Sequence, residues 1–463
     1  MNNKNLFAFV GVIILILIAI TAFGMYYKYQ NDIYNGTLSG DRREPPNMQD
    51  DNGAPPDKSG MENLTTNVTY SAKNNITENS ILSNESFSSD SKDENAILID
   101  SSAIVTIENS TINKTGDSEG GDISSFYGNN SAILAKGGSE VTINNASITT
   151  DATGANGVFC FGGSATTNNY SSDGTTIVIS DSMITTSKDN SGGIMTTGGG
   201  SMSAKNLTIT TAGTSSAAIR TDRGGGTVKV DGGTYKTTGQ GSPVIYSTAD
   251  VSVSNANLSS TSSEGIIIEG KNSVSIDNCE LMDSNTKLNG KSTTYKNIFL
   301  YQSMSEDAEF GVAKFTSKDS NITTNNGDTI YVTNTSAVIT LENNVIKNND
   351  ANGNFLRVQK DSWGNSETNG GDVTLVLNNQ KVDGNIVVDS ISTADITLKT
   401  NSIYEGIING DNTAKALTLT LDASSKIKLT GDSYITSLTD DVDDYSNIDF
   451  NGYKLYLNGI AIN

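Results

Sequence analysis

The sequence contains no histidine, which removes the commonest proton shuttle at neutral pH and the commonest ligand of transition metals. Ser-His-Asp triads and histidine-bound zinc sites are thereby excluded. Cysteine is represented only by Cys160 and Cys279, which fall at different positions of the repeat described below. We therefore expect two free thiols rather than a disulfide-stapled scaffold.

Proline, aromatic residues and positive charge are also scarce. Five prolines and 6% aromatics stand against 45 glycines, a composition that turns often and favours a uniform repeat over a core of large side chains. The 52 acidic and 30 basic residues give a formal charge of −22. Such a surface repels phosphate backbones, so no nucleic-acid partner is expected, and polyuronates would need a bridging divalent cation.

One long hydrophobic run stands at the N-terminus. Residues 6–25 carry no charge, and at about 1.5 Å per residue they would span roughly 30 Å of hydrocarbon. We predict a membrane anchor over residues 1–26, with a single span and the bulk of the chain extracellular. The alternative is cleavage after Gly24, with Ala22 at the −3 position, and secretion.

Residues 27–95 differ from everything after them. Four of the five prolines lie here among Asn, Asp, Ser and Glu, and apolar residues are few and without periodicity. Such a segment cannot bury enough surface to offset its ordering entropy. It is predicted to be a disordered polar stalk.

From residue 105 an eight-residue phrase repeats, with apolar residues at its first, third and eighth positions and a turn former at its fifth. Alternation of this kind is the signature of a strand with one buried face. The fifth position tolerates a left-handed backbone in most copies, and stacked amides there can hydrogen-bond from turn to turn. The eleven residues at this position are Asn109, Asn145, Asp181, Asn206, Gly232, Asn255, Asn278, Asp319, Asn343, Asn379 and Thr400.

A third short apolar run lies between most copies, for example Gly157-Val158-Phe159 and Gly265-Ile266-Ile267. Three short strands per repeat predict an all-β, right-handed, single-stranded parallel β-helix over residues 96–415. Residues 416–463 are predicted to form the last coils and a C-terminal cap, because an open solenoid end exposes strand edges. A β-sandwich is the rival fold.

The chain resembles the adhesin-like parallel β-helix surface proteins of anaerobic bacteria and methanogens, which are similar to the pectate-lyase superfold. The resemblance covers roughly residues 95–463 and is carried by three phrases: residues 157–163, residues 218–226 and residues 445–453. It implies a β-helix at the cell surface. Function follows from it only by analogy, because this fold hosts lyases, hydrolases, adhesins and scaffolds.

Long inserts are predicted at the corner between the first and second strand of a coil, at about residues 162–175, 302–314 and 359–372. Their aromatic residues, Tyr170, Phe310 and the sole tryptophan Trp363, are candidates for stacking on sugar rings. The alternative is that each covers an apolar part of its own loop.

Arg220, Asp222 and Arg223 are candidate ligand-binding residues at the same corner. Strand alternation predicts Ile219 inward and Arg220 with Asp222 outward, where the pair could hold a carboxylate or an acidic sugar. The phrase Arg-x-Pro-x-x-Arg of the related lyases is absent, and the related hydrolases need a histidine. An Arg–Asp bridge that closes the glycine-rich turn is the alternative.

The densest acidic run is a candidate for calcium, the one cofactor considered. It lacks the glycine-bearing loop of known calcium motifs, and a solvated charge run is the alternative. Its members are Asp440, Asp441, Asp443 and Asp444.

These observations favour a non-catalytic, adhesin-like surface protein that binds an extracellular polysaccharide or another cell. Three alternatives remain open: a polysaccharide lyase or hydrolase at the Arg220 corner, a purely structural surface component, and an ice binder. The ice binder would use threonine pairs just past the eighth position of four copies, at residues 149–150, 185–186, 210–211 and 237–238.

Overall fold

A computed structural model describes residues 68–163, 171–290, 292–303, 305 and 307–463. The predicted anchor, residues 1–26, and the stalk up to residue 67 lie outside these residues. The described chain is all-β with long parallel sheets, which fits the predicted β-helix and rules out the β-sandwich. Each coil contributes strands to three faces in turn.

The first face is a parallel sheet of 12 strands, each paired with the corresponding strand of the next coil. Its inward residues are mostly β-branched or leucine and stack in register, as Ile219, Ile245 and Ile266 do. The strands are Ser71–Ile76, Glu94–Ile99, Ile133–Ala135, Val158–Phe161, Ile194–Thr197, Ile219–Thr221, Ile245–Ser247, Ile266–Glu269, Lys296–Tyr301, Asp328–Thr333, Leu356–Val358 and Ile386–Val388.

The second face carries the start of the eight-residue phrase. It is built from Ser80–Ser83, Ile104–Glu108, Glu140–Asn144, Thr176–Ser180, Asp250–Ser254, Ser273–Asp277, Val312–Lys318, Thr335–Glu342, Gly371–Asn378, Thr393–Lys399, Ala416–Leu421 and Ser437–Asp440.

The third face carries the end of the phrase. It is built from Ser86–Ser89, Thr111–Lys114, Ser147–Thr150, Met183–Thr186, Asn257–Ser260, Glu280–Asp283, Asn321–Thr324, Val345–Asn348, Lys381–Asp383, Ile403–Gly406, Lys426–Leu429 and Ile448–Asp449. Two long strands, Gly200–Thr211 and Gly226–Thr237, run through the second and third faces without interruption, so the second face and most of the third share one sheet of 22 strands. The last four strands of the third face, from Lys381–Asp383 to Ile448–Asp449, form a separate sheet.

The corner between the second and third faces lies at the fifth position of the phrase, as predicted. All eleven residues at this position have positive φ, between 48° and 73°. Asn84 extends the series one coil earlier, with φ 59°. The predicted amide stacking is also present: Asn145 Nδ2 donates to Asn109 Oδ1 at 2.7 Å, and Asn278 Nδ2 donates to Asn255 Oδ1 at 2.8 Å.

The core is filled by the inward residues of the three faces, mostly isoleucine, valine and leucine, in one continuous cluster. Cys160 and Cys279 are both buried free thiols, as expected. The threonine pairs do not form a flat exposed rank, because one member of each pair faces inward: Thr150, Thr186, Thr211 and Thr237 are at most 1% exposed. Thr186 and Thr211 donate instead to the backbone oxygens of Ser191 and Ser216.

One boundary and one helix differ from the prediction. Strands already occupy residues 71–89, so the predicted stalk ends too late. Low apolar content concealed this first coil, whose inward positions are filled by residues such as Ile76, Leu82 and Phe87. A short helix, Gly121–Tyr127, interrupts the passage from the third face back to the first, and the apolar pattern did not predict it.

The predicted inserts do lie between the first and second faces, between strands Val158–Phe161 and Thr176–Ser180, Lys296–Tyr301 and Val312–Lys318, and Leu356–Val358 and Gly371–Asn378. At the C-terminal end, Ser433–Ile435, Leu455–Leu457 and Ile460–Ala461 form a separate sheet of three strands. Leu455–Leu457 and Ile460–Ala461 pair antiparallel, and this hairpin covers the last coil.

Candidate functional site

The Arg220 corner forms where the first-face strand Ile219–Thr221 runs into a glycine-rich turn. Ile219 faces inward and Arg220 outward, as predicted, but Asp222 is buried at 3% exposure. Arg220 Nη2 donates to Asp222 Oδ2 at 2.8 Å, and the Arg223 backbone N–H donates to Asp222 Oδ1 at 3.0 Å. Gly224 and Gly225 follow with positive φ, so the ion pair of Arg220 and Asp222 closes this glycine-rich turn.

Arg223 leaves the turn and joins two inserted segments. Its Nε donates to Asp307 Oδ1 at 2.7 Å in residues 302–311, and its guanidinium lies 4.3 Å from the ring centre of Phe126 in the short helix. The charges of the predicted ligand-binding trio are therefore engaged within the protein. The Arg220 and Asp222 side chains retain 13% and 4% exposure.

Two carboxyl groups at this corner are deeply buried. Desolvation by burial raises the pKa of Asp222 to about 7, against the lowering effect of Arg220. Burial likewise raises the pKa of Glu269, which accepts hydrogen bonds at Oε2 from the hydroxyls of Tyr246 at 2.6 Å and Tyr301 at 2.9 Å. A perturbed carboxyl is a candidate acid or base only where a substrate can come within hydrogen-bond reach. Asp307, Ala308 and Glu309 of the second insert lie against Gly224 and Gly225 at this corner, which limits such access.

Trp363 packs into an aromatic cluster on the outer side of the first face. Its ring centre lies 5.3 Å from that of Phe299 and 5.3 Å from that of Tyr301. The buried ammonium of Lys296 lies 4.3 Å from the Phe299 centroid and 5.7 Å from that of Trp363. Burial lowers the pKa of Lys296. Trp363 thus covers this cluster and presents only part of its ring to solvent.

The other aromatic candidates have different positions. Tyr170 lies outside the described residues, so its predicted role stays a prediction. Phe310, on the second insert, is 65% exposed and is the most accessible aromatic candidate among the described inserts. The sequence favoured Trp363 as the binding residue and could not rank the aromatics by exposure, because exposure depends on how each insert folds back.

The acidic run begins at Asp440, the last residue of the last second-face strand, and ends before the last third-face strand. Asp440 Oδ1 accepts from the Val442 backbone and from Asn447 Nδ2, and Asp444 Oδ1 accepts from the Ser446 backbone. Within the described residues, no group of three or more His, Cys, Asp or Glu side chains is arranged to hold a metal ion. The predicted calcium site at Asp440, Asp441, Asp443 and Asp444 therefore has no geometric support.

A shallow open groove lies at the corner between the second and third faces, across three successive coils. Neither its position nor its lining was predicted, because the residues are brought together only by the register of the coils. It is lined by Asn145, Ala146, Ser147, Asp181, Ser182, Met183, Asn206 and Thr208.

Comparison with known proteins does not identify any of these sites. In the part of the chain that the structure describes, no helix has the length and apolarity needed to cross a bilayer. No protein-family model, no curated protein and no solved structure matches the chain.

Proposed function

We propose that this protein is a non-catalytic, adhesin-like surface β-helix that binds an extracellular polysaccharide or another cell. The carrying observation is a column of outward residues along the middle of the second face, one per coil and in parallel register. Most of these residues are serine or threonine and bear a hydroxyl group. The whole column consists of Ile81, Thr106, Thr142, Val178, Ser203, Lys229, Ser252, Ser275, Thr316, Thr340, Val376, Thr397, Thr420 and Thr439.

Hydroxyl groups both donate and accept hydrogen bonds. Repeated at about 4.8 Å from coil to coil, they suit a ligand that itself repeats. A polysaccharide chain has this property, and its hydroxyl groups complement those of the protein. The charge of −22 favours uncharged or cationic glycans over anionic ones.

The proposal places residues 6–25 in the cell membrane as a single-span anchor. Residues 27–67 then act as a spacer that holds the solenoid away from the bilayer. We propose that the coils wind right-handed, as parallel crossovers generally do. Cleavage of the N-terminal segment would instead release the same solenoid as a secreted binder.

Asp222 and Glu269 are the best candidates for a catalytic acid and base, and their burial and internal hydrogen bonds favour binding over catalysis. Asp222 is buried and paired with Arg220, while Glu269 is fully buried and bonded to two tyrosines. A polysaccharide lyase or hydrolase is the second candidate, favoured by the raised pKa of Asp222, about 7, beside Arg220. It requires residues 302–311 to move away from this corner.

A glycan array probed with the full-length chain in detergent, with and without a calcium chelator, tests the proposal. We expect retention of polysaccharides in both conditions and no release of soluble sugar in a parallel incubation. Release of soluble sugar from any retained polysaccharide would show that the protein is an enzyme and not a non-catalytic binder. Failure to retain any glycan or to adhere to cells would leave a purely structural role.

A further inference from the structure

The groove between the second and third faces has the chemistry of a carbohydrate site. We propose that it binds a single chain of an extended, uncharged, β-linked polysaccharide. This inference rests on the proposed function and assigns it a place on the solenoid. The groove spans the coils that contain Asn145, Asp181 and Asn206, each at the left-handed corner position.

The amide ladder is interrupted within this groove. Asn145 Nδ2 donates to Asn109, and Asn206 Nδ2 donates to Asp181 Oδ1 at 2.8 Å. The next coil carries the carboxylate of Asp181 at this position, and a carboxylate lacks the N–H group of an amide. Among the described residues, no side chain therefore donates to Asn145 Oδ1. Two acceptor groups therefore stand next to each other in an open groove, where they can accept hydrogen bonds from water or from a ligand.

Sugar hydroxyls supply such donors. A carboxylate accepts hydrogen bonds more strongly than a neutral oxygen, and its two oxygens can serve neighbouring hydroxyl groups of one ring. Ser147 and Thr208 add hydroxyl groups at the same groove. The combination matches the polar edge of a pyranose.

An apolar wall accompanies these polar groups. Met183 is 51% exposed in the groove, although its neighbours on the third face are mostly polar. Ala146 and Ser182 are small and buried, and they form the floor. A flexible thioether can pack against the C–H face of a sugar ring, which buries apolar surface on both partners.

The spacing of the coils selects an extended ligand. Three coils at about 4.8 Å place the outer rungs roughly 10 Å apart. Two rungs are close in length to two pyranose units of an extended β-linked chain, so every second ring can present the same edge to the groove. The strongly bent chain of an α-linked glucan cannot keep this alignment.

A calcium ion is the competing occupant, because it also prefers carboxylate and amide oxygens. Calcium takes six to eight oxygen ligands. The groove offers one carboxylate, that of Asp181, and no described group of three acidic side chains converges there. The glycan is therefore the better match.

The test is calorimetric titration of the full-length chain in detergent with cellohexaose and chitohexaose, with maltohexaose as the α-linked control. Met183→Ala is expected to weaken binding of a β-linked hexaose about tenfold or more. Met282→Ala is the matched control, since Met282 is 53% exposed on the same face outside the groove and its loss is expected to leave affinity unchanged. Asp181→Gly is paired in the same way with Asp319→Gly, because both aspartates occupy the left-handed corner and glycine serves there naturally at Gly232.

The outcomes separate the two proposals. Unchanged affinity in both groove variants, or no binding of either β-linked hexaose while the array retains another glycan, overturns the groove and leaves the proposed function standing. Loss of wild-type binding in chelator overturns the groove as a direct glycan site. Retention of no glycan at all overturns the groove, and failure to adhere to cells as well removes the proposed function.

Discussion

Arg223 and Asp307 form a half-buried ion pair at 2.7 Å across 84 positions of sequence. The pair ties the glycine-rich turn after one first-face strand to the insert of a coil further along the solenoid. It shows that this insert folds back toward an earlier coil at Asp307 rather than extending away from the solenoid.

Removal of this pair should loosen residues 302–311. Arg223→Met is expected to cost about 1–3 kcal/mol of stability, because Asp307 would lose its charged donor. Limited proteolysis of this segment and a urea titration measure the effect. Asp307→Asn and the double variant complete the cycle, and a coupling energy near zero would contradict the role of the pair.

A control for this experiment is the pair Lys92–Glu119, whose side chains are 66% and 70% exposed. Surface pairs of this kind contribute little, because solvent screens them. Lys92→Met should therefore leave the urea midpoint unchanged.

Trp363 should matter for stability through its packing. Trp363→Ala removes the ring that lies against Phe299 and Tyr301 and opens the site of the Lys296 ammonium, at a cost of about 2–3 kcal/mol. Differential scanning calorimetry measures the loss. Phe310→Ala, at a position 65% exposed, is the control and should have little effect.

The same two variants separate packing from recognition. If Trp363 were a sugar platform alone, its replacement would lower glycan affinity and leave the melting temperature unchanged. That result would refute the packing role assigned to it.

Stability should fall as the pH rises from about 4 to 7. The folded pKa of Asp222 is about 7, above the ordinary value of 3.8, so the folded protein keeps a proton that the unfolded chain has released. The stability due to this proton is complete below the unfolded pKa and is lost as the pH rises through the folded one. Burial raises the pKa of Glu269 in the same direction.

Melting temperatures measured between pH values of about 5 and 8 check this slope. Asp222→Asn should flatten it, because an amide does not titrate. Glu367→Gln, at an exposed position of an insert, should leave it unchanged. An equally steep decline in the Asp222 variant would assign the effect to other groups.

The left-handed corners should be selective for side-chain type. Asn278 has φ 51° and donates to Asn255, so Asn278→Val adds the steric cost of a branched side chain in this conformation, about 1–2 kcal/mol, and removes a hydrogen bond. Asn278→Gly can keep the left-handed conformation, as Gly232 does at its own corner, and should therefore lose less stability. Urea midpoints compare the two, and equal losses would contradict the conformational argument.

An aspartate at a corner breaks the ladder, so Asp319→Asn should repair it. Asn343 Nδ2 already donates to Asp319 Oδ1 at 2.6 Å, and an amide at position 319 could in turn donate to Asn278. A small rise in the melting temperature is expected, since the bond is exposed to water. A fall would show that the negative charge at this corner stabilises the coil.

The residues of the Arg220 corner were found from the sequence because they lie within four positions of one another. Alternation along a strand places Ile219 inward and Arg220 outward, and both positions were predicted correctly. The burial of Asp222 was not, because it depends on the packing of a distant insert, which brings Asp307 to this turn. The groove at Met183 escaped prediction for a similar reason, since its lining comes from three separate coils.

The sequence by itself determined the repeat, the inward columns and the left-handed corners. Each of these depends on the conformational preferences and alternation of residues within a few positions, which are the same in every coil. Only the tertiary structure decided which charges meet, which aromatics are covered and where a groove opens. Those properties depend on the register between coils and on the path of inserts of unequal length, which no local pattern encodes.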